Sequence, residues 1–358
     1  MSADEMEGYF VRSSYSPEEC KFLLKDITDV IEEVSVEEKE RLIAQGVNYS
    51  EMISKESRMD DSINEIFQSL LEEKASELAQ YVGTICEELY RQKGERVILV
   101  SLARAGSPVG VLMKRYFQYR YGMNVPHYSI SIIRGKGIDE NALGYILKQH
   151  PDGNLAFVDG WTGKGSITYE LRSSIARFNE VHGTRIDDGL VVLADPAKKS
   201  MICGTKKDVC IPNACLNSTV SGLVSRTIHN QKYIGPDDFH GAKYFGDLED
   251  QDFSNVFIEK VCQHFSITNP KCVCFTNEAY VAQVLGQLEE DFGVSDPTKI
   301  KLSIGETSRA VIRRCPKMIL VKNRGLSDLK FILHMAKEKK IEVKEYDTRD
   351  YACIAILK

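Results

Sequence analysis

A short loop whose residues are suited to binding phosphate lies near the middle of the chain. The stretch LAFVDGWTGKGSI places Asp159 at the end of an apolar run, before a loop rich in glycine and hydroxyl groups. Backbone amides at the start of a helix are free to donate hydrogen bonds and lie at the positive end of the helix dipole. We therefore expect a phosphate group to be bound by Thr162, Gly163, Lys164, Gly165 and Ser166.

Two common nucleotide-binding signatures do not match this loop. A Walker A loop requires G-x-x-x-x-G-K-[ST], but Lys164 is followed by Gly165, and Val158 stands where the first glycine should be. The dinucleotide fingerprint G-x-G-x-x-G is also missing. A plain tight turn between a strand and a helix remains the alternative to a phosphate site.

The elements around the loop alternate between strand and helix. An apolar stripe predicts a helix over about 62–91, and a capping box at Ser16-Pro17-Glu18-Glu19 predicts an earlier helix. The segments that follow predict strands at 97–100, 128–133, 155–158 and 190–194, separated by helices at 107–121, 139–148 and 164–178. Continuous apolar strands separated by helices indicate an α/β fold with a parallel sheet covered on both faces.

Glycines and cations follow several of these strands. One strand runs into Arg104-Ala105-Gly106, the next into Arg134-Gly135-Lys136, and a third into the phosphate loop. Because ligands of open α/β sheets bind beyond the carboxyl ends of the strands, we expect these groups to meet at one edge.

Composition indicates a globular protein of two parts. The 358 residues carry a net charge of −6, whereas residues 266–358 contain 16 basic and 12 acidic side chains. We predict a first domain over 1–265, with an acidic helical extension over 1–60, and a smaller α/β/α domain over 266–358. Neither a membrane span nor a signal peptide is evident, so we expect a cytoplasmic protein. Most of the ten cysteines are expected to be free thiols in packed positions.

The loops together resemble those of a known family. The phosphate loop and SLARAGSP resemble the ribose-phosphate and pyrophosphate loops of type I phosphoribosyltransferases. With HYSISIIRGKGID, ADPA, IPNACLNSTVSGLVSRT and DFHGAK, the chain resembles the phosphoribosyltransferase-like family of bacterial tellurite-resistance and stress-response clusters, also labelled the cysteine protease StiP family.

This resemblance implies a pentosyltransferase that uses or forms phosphoribosyl pyrophosphate (PRPP) with a base-like acceptor, in the synthesis of a nucleoside-like metabolite. Asp159 would contact ribose, Arg104, Ala105 and Gly106 would bind pyrophosphate, and Arg134 or Lys136 would close over it. Magnesium would be held through the pyrophosphate, with Asp159 as a further ligand. The family motif has two adjacent acids, whereas Gly160 follows Asp159 here.

The basic C-terminal part resembles a Pelota-type RNA-binding domain. Its motif is SIGETSRAVIRR, in which a loop opens a helix. The resemblance implies RNA as a partner, bound by Glu306, Thr307, Arg309, Arg313 and Arg314. A solvated helical face without a ligand is the alternative.

Two other functions fit the sequence. The first is a cysteine hydrolase or protease, with Cys215 as nucleophile and His229 or His240 as base. The second is a non-catalytic, RNA-associated regulator that binds a sugar phosphate. Association into a homo-oligomer is left open.

Overall fold

The computed structural model describes residues 8–56, 58–266, 272, 275–314 and 316–358. The strands of the N-terminal part are β1 (Lys21–Phe22), β2 (Lys25–Asp26), β3 (Glu33–Val34), β4 (Ile53–Ser54), β5 (Val97–Leu102), β6 (His127–Ile130), β7 (Ile132–Ile133), β8 (Gly137–Ile138), β9 (Asn154–Trp161), β10 (Leu190–Ala194), β11 (Ile202–Thr205) and β12 (Gly241–Ala242). The helices of this part are α1 (Val36–Ala44), α2 (Asp61–Lys93), α3 (Gly106–Tyr121), α4 (Glu140–Gln149), α5 (Ser166–His182) and α6 (Ser254–Cys262).

A six-stranded parallel sheet forms the centre of this part, in the order β1-β6-β5-β9-β10-β11. Successive residues of its strands face opposite sides, so Leu99 and Val158 pack with α2 and α3, whereas Val100 and Phe157 pack with α4 and α5. Burial on both faces explains why these strands are continuously apolar. The predicted parallel-sheet α/β part, followed by a smaller α/β part, is confirmed.

Local signals place several helix ends correctly. Asp60 caps α2 by accepting a hydrogen bond from the amide of Ile63, and the helix ends at Gly94, whose φ is 63°. Gly183, with φ 66° in the left-handed region, ends α5. Glycine tolerates these angles because it has no Cβ, so each glycine marks a helix end, although α5 continues four residues beyond its predicted end at 178.

The helix predicted from Ser16 is wrong. The residues after Ser16 form a turn, in which the amides of Glu19 and Cys20 donate to the Ser16 carbonyl. The chain then enters β1, which pairs with β6 at the edge of the central sheet. Pairing with a strand more than 100 residues away outweighs the capping signal, and within 8–60 only α1 is an α-helix.

The C-terminal part contains its own four-stranded sheet, in the order β13-β16-β14-β15. Its elements are α7 (Tyr280–Phe292), β13 (Ile300–Leu302), α8 (Ser303–Arg313), β14 (Pro316–Val321), α9 (Lys330–Glu338), β15 (Glu342–Glu345) and β16 (Cys353–Leu357). The sequence pattern does not predict β13, which has only three residues, or β15, which is largely polar. The sequence also predicts a strand at CVCF (272–275), of which Val273 and Cys274 lie outside the described residues, as does Cys315 among the predicted free thiols.

Buried contacts join the two parts. One apolar cluster contains residues of α2 and α3 together with Ile304, Val311 and Phe331 of the C-terminal part. Lys74 in α2 forms an ion pair with Asp328 at 2.8 Å, and Asp328 also accepts from the amide of Cys210 at 2.6 Å. Among the described residues, no helix has the length and apolar character needed to cross a membrane.

Candidate functional site

Two loops at the carboxyl edge of the central sheet form the base of a cleft. β5 leads through Ala103-Arg104-Ala105 into α3, and β9 leads through residues 162–165 into α5. The peptide bond between Ala103 and Arg104 is cis. A Cβ added at Gly106 would lie 2.2 Å from the carbonyl oxygen of Val158, so only glycine lets α3 start this close to β9. The two loops therefore lie side by side, as the sequence predicts.

The loop that begins α5 lines a cavity of about 190 Å³, which we call the loop cavity. Thr162, Gly163, Lys164, Gly165 and Ser166 all contribute to its wall. Among the described residues, none accepts a hydrogen bond from the amides of residues 163–166. These amides and the N-terminus of a 17-residue helix provide donors for an anion. Phosphate binding at this loop stays a prediction.

Cations and two carboxylates surround these amides. Lys164, Lys301 and Arg134 line the loop cavity, as do Asp159 and Glu306. The Lys164 ammonium donates to the carbonyl oxygen of Pro297 at 2.6 Å, and burial lowers the pKa of Lys164 to about 8. Burial also raises the pKa of Asp159 to about 6, although Arg309 and the amide of Gly160 oppose the shift. Both shifts move the pKa towards neutral pH, so Asp159 and Lys164 change their charge near pH 7.

These two groups predict how pH affects anion binding. As pH rises through about 6, Asp159 gains a negative charge, and as it rises through about 8, Lys164 loses its positive charge. Both changes disfavour an anion, so we expect sulfate to bind progressively more weakly with rising pH. Trp161 lines the loop cavity and is the single tryptophan, so its fluorescence measures the binding.

Two variants show which residue causes each step in the pH dependence of sulfate binding. Asp159→Asn should remove the lower step, and Lys164→Arg should remove the upper step, because neither new side chain changes its charge in this range. A wild-type sulfate affinity that stays flat from about pH 5 to about pH 9 would contradict both pKa shifts.

The C-terminal part supplies one wall of the same cleft. The Arg309 guanidinium in α8 lies over the Trp161 ring, 4.7 Å from its centroid. Gly305, one turn earlier, packs so closely on this ring that an added Cβ would lie 2.0 Å from Trp161 Cε2. The Tyr351 hydroxyl donates to the carbonyl oxygen of Gly163 at 2.9 Å. The predicted RNA-binding helix and the predicted phosphate loop thus form one site.

A second cavity, of about 240 Å³, lies beside the first and is rich in guanidinium groups. We call it the arginine cavity; Trp161, Tyr49 and Arg309 line both cavities. Its further cations are Arg104, Arg226 and Arg313.

One carboxylate pairs with two of these arginines. Glu56 Oε1 lies 2.9 Å from Arg104 Nη2 and 3.9 Å from Arg313 Nη2. Burial opposes ionisation of Glu56, but Arg104 and Arg313 hold its pKa below the usual range. Burial and the charge of Arg104 lower the pKa of Arg226 to about 10. The arginines of this cavity therefore carry more positive charge than the single Glu56 carboxylate neutralises, which favours an anionic ligand.

Some predicted site residues lie elsewhere. Lys136 forms an ion pair with Glu51 at 3.2 Å and donates to the carbonyl oxygen of His229. It does not line either cavity among the described residues. Thr307 is fully buried within α8, where its hydroxyl donates to the carbonyl oxygen of Lys301. These positions do not support direct ligand contact by Lys136 or Thr307.

The remaining predicted residues lie at the cleft. Ala105 lines the arginine cavity, and Arg314 lines an adjoining outer cavity. Gly106 packs against β9 and positions the loop rather than lining it.

The predicted hydrolase residues are not brought together. Cys215 is fully buried and interacts with the thiol of Cys210. His229 and His240 stack on each other at 4.4 Å, and His240 Nδ1 lies 2.8 Å from the Ser131 hydroxyl. Among the described residues, neither histidine forms a hydrogen bond with Cys215.

A different thiol and imidazole meet at the start of the paired strands β1 and β6. Cys20 Sγ lies 3.8 Å from His127 Nε2, and His127 Nδ1 lies 2.8 Å from the carbonyl oxygen of Glu19. Because a carbonyl only accepts, Nδ1 carries the proton of the neutral ring, and the Nε2 lone pair faces both Cys20 Sγ and the Ser101 hydroxyl, which lies closer at 2.8 Å. Burial raises the pKa of Cys20 well above its usual range and lowers that of His127 to about 4, so both are neutral at pH 7.

Sequence reasoning missed several residues of the cleft. Tyr49 and Glu56 lie in segments with little periodic pattern, so their sequence carries no signal for the site, whereas Asn213 lies within the quoted stretch IPNACLNSTVSGLVSRT but was not singled out. Lys301 belongs to the basic C-terminal stretch, but the short strand β13 that positions it went unrecognised. A search for aromatic and basic residues at or beside the recognised stretches would have found Trp161, Arg226 and Lys301.

Magnesium stays an untested prediction. Asp159 and Glu306 are the acidic residues lining the loop cavity among those described, and no group of three metal-binding side chains occurs in the described part of the chain. Two carboxylates suit a largely hydrated magnesium ion, but we propose no reaction step that depends on one.

Comparison with known proteins identifies both parts. Residues 13–262 match the family model described as "Tellurite-like stress resistance cysteine protease StiP", and residues 280–358 match the PELOTA RNA binding domain. The chain is 34% identical over 347 residues to "Cysteine protease StiP" of Acinetobacter baylyi, covering 92% of this chain and 89% of the relative. The predicted RNA-binding domain is confirmed.

These matches correct the predicted activity. Both the family description and the relative's name denote a cysteine protease. The prediction of a phosphoribosyltransferase, with its transferase chemistry and its pyrophosphate-bearing sugar substrate, is therefore wrong. The predicted link to tellurite-like stress resistance agrees with the family description.

Proposed function

The chain belongs to the StiP family, and on this premise we propose that it is an RNA-binding protein of that family which holds RNA in the cleft between its two parts. The observation that carries the proposal is the shared wall of the two cavities. Arg309 and Trp161 line both, so a cation and an aromatic ring from different parts of the chain face the same space. Basic grooves with aromatic side chains are typical of single-stranded RNA sites.

Charge and shape support the same ligand. Lys164, Lys301 and Arg134 can contact phosphates in the loop cavity, and Arg226 and Arg313 can do so in the arginine cavity. Trp161 offers a ring on which a base can stack. Glu306 is a hydrogen-bond acceptor that base amino groups can meet, which would add sequence preference.

Salt dependence tests this proposal directly. Full-length protein is titrated with a labelled single-stranded RNA by fluorescence anisotropy at several salt concentrations. We expect the logarithm of the affinity to fall linearly with the logarithm of salt, with a slope of roughly −0.7 per phosphate contacted. Absence of binding even at low salt would contradict the proposal, and binding without salt dependence would contradict the assigned cations.

A second candidate function is peptide hydrolysis through Cys20 and His127. The 3.8 Å contact favours it, because Nε2 can accept the thiol proton once the Ser101 hydroxyl, 2.8 Å from the same atom, turns to its other partner, the carbonyl oxygen of Gly106. The thiolate would attack a peptide carbonyl to form an S–C bond. His127 would then protonate the departing amine, and water would hydrolyse the thioester to regenerate the thiol. Cys20 is 2% exposed, so a substrate reaches it only if the covering residues move.

Two matched variants test the hydrolase candidate. We expect Cys20→Ser to abolish cleavage of an unfolded protein substrate and Cys215→Ser to leave cleavage intact, because only Cys20 has an imidazole beside it. Circular dichroism checks that each variant is folded. Loss of cleavage in Cys215→Ser alone would identify Cys215 instead, and full cleavage by both variants would exclude both thiols as the nucleophile.

A further inference from the structure

The cleft narrows inwards from a wide mouth. An outer cavity of about 520 Å³ is lined by α1, Tyr49, Lys301 of β13 and the basic face of α8 with its C-cap residue Arg314. It shares Arg134 and Lys301 with the loop cavity, and Arg226 and Arg313 with the arginine cavity. The two inner cavities are less than half its size. An extended ligand that enters through the outer cavity therefore meets two small cavities on either side of Trp161.

Each inner cavity contains a buried polar atom that lacks a partner. Thr168, which is 1% exposed, lines the loop cavity, and its hydroxyl forms no hydrogen bond with the described residues. Asn213, which is 6% exposed, lines the arginine cavity, and its side-chain oxygen is likewise unpaired among them. Buried polar atoms are rarely left unpaired, so these two indicate a polar ligand.

Direct contacts between the two parts limit the space behind the loop cavity. Lys164 donates to the carbonyl oxygen of Pro297, and Tyr351 donates to that of Gly163. A Cβ added at Gly163 would lie 2.5 Å from Glu306 Cγ, so α8 and the loop leave no room for even a methyl group there. A polynucleotide passing through needs open space on both sides of each phosphate, whereas a terminal phosphate needs it on one side.

The donors of the loop cavity also suit a terminal phosphate. Four unpaired amides, Lys164, Lys301 and Arg134 face a single small space. A terminal phosphate monoester carries up to two negative charges near neutral pH, compared with one on an internal phosphodiester. The concentration of donors and cations therefore favours the end of a strand.

From this geometry we infer that the cleft binds the phosphorylated end of a single-stranded RNA, with the terminal phosphate in the loop cavity and a base beside Trp161. The inference rests on the proposed RNA-binding function and specifies its ligand. The same phosphate chemistry can come from a 5′ or a 3′ end.

Four RNAs of one sequence test the inference with full-length protein. They carry a 5′-phosphate, a 3′-phosphate, hydroxyls at both ends, or no ends because the RNA is circular. We expect one phosphorylated RNA to bind at least about tenfold more tightly than the hydroxyl and circular forms, as expected for charge-assisted hydrogen bonds. Equal binding of linear and circular RNA would overturn this inference alone. Failure of all four to bind would overturn the proposed function as well.

A matched pair of variants locates the phosphate. Thr168→Val removes the unpaired hydroxyl at the loop cavity and should reduce the preference for the phosphorylated end several-fold. Thr219→Val removes a hydroxyl that is also buried and unpaired among the described residues but does not line either inner cavity. It should keep the full preference. Equal preferences in the two variants would overturn the placement of the phosphate in the loop cavity.

Discussion

Replacing Arg309 with alanine should weaken binding of single-stranded RNA by roughly 10- to 100-fold, since a stacked base or a charged contact contributes about 1–3 kcal/mol. The side chain lines the loop, arginine and outer cavities and holds its guanidinium 4.7 Å from the Trp161 ring. Its loss removes a cation and leaves the Trp161 ring without this neighbour. Anisotropy titration at fixed low salt measures the change.

Arg185→Ala is the matched control for this prediction. Arg185 is exposed and follows the C-terminal end of α5, about 25 Å from the helix start that opens the loop cavity. Its replacement removes the same charge and should change the affinity less than about twofold. Equal weakening by the two variants would mean that RNA responds only to net charge, which would contradict a site at the cleft.

Replacing Gly305 with alanine should destabilise the protein by about 1–3 kcal/mol, because the added methyl group overpacks a closely fitted contact. The new Cβ would lie 2.0 Å from Trp161 Cε2 and 2.1 Å from Trp161 Nε1. The ring or α8 must therefore shift, which separates Arg309 from Trp161. Thermal unfolding should show a lower Tm, and the Trp161 emission should move to longer wavelength as the ring becomes more exposed to water.

Gly286→Ala provides a matched control in another helix of the C-terminal part. Gly286 lies within α7, and a Cβ added there has no heavy atom within 4 Å. Alanine should stabilise that helix by up to about 1 kcal/mol, because it has the higher helix propensity. If Gly305→Ala proves as stable as Gly286→Ala, the close packing of α8 on Trp161 is wrong.

Local pattern predicts most of the N-terminal part. The apolar stripe of α2, the run of β5 and the glycine at position 94 each depend on neighbours within a few residues. Because carboxyl ends of parallel strands share one edge, their order also brings Ala105 close to Gly160. The same reasoning fails at Ser16, where a distant strand partner outweighs a local helix signal.

Long-range contacts decide how the site is completed. Trp161 and Gly305 are separated by more than 140 residues, and no local pattern indicates that they touch. The same holds for Arg313 and Glu56, and for Cys20 and His127. Each of these pairs forms because folding buries apolar surface that both segments share, which carries their polar groups together.

The amino-acid sequence alone indicates a parallel-sheet α/β part with a glycine-rich loop at the sheet edge, and its basic SIGETSRAVIRR motif resembles that of an RNA-binding domain. Periodicity, capping residues and charge are local properties, so they can be read along the chain. Three features appear only in the folded chain: the α8 face covers the loop, Arg309 lies on Trp161, and neither Lys136 nor Cys215 lines the cavities of the cleft. These outcomes depend on how the two parts of the chain pack against each other. That packing depends on close steric fit, as at Gly305, where the absence of a Cβ lets α8 approach Trp161.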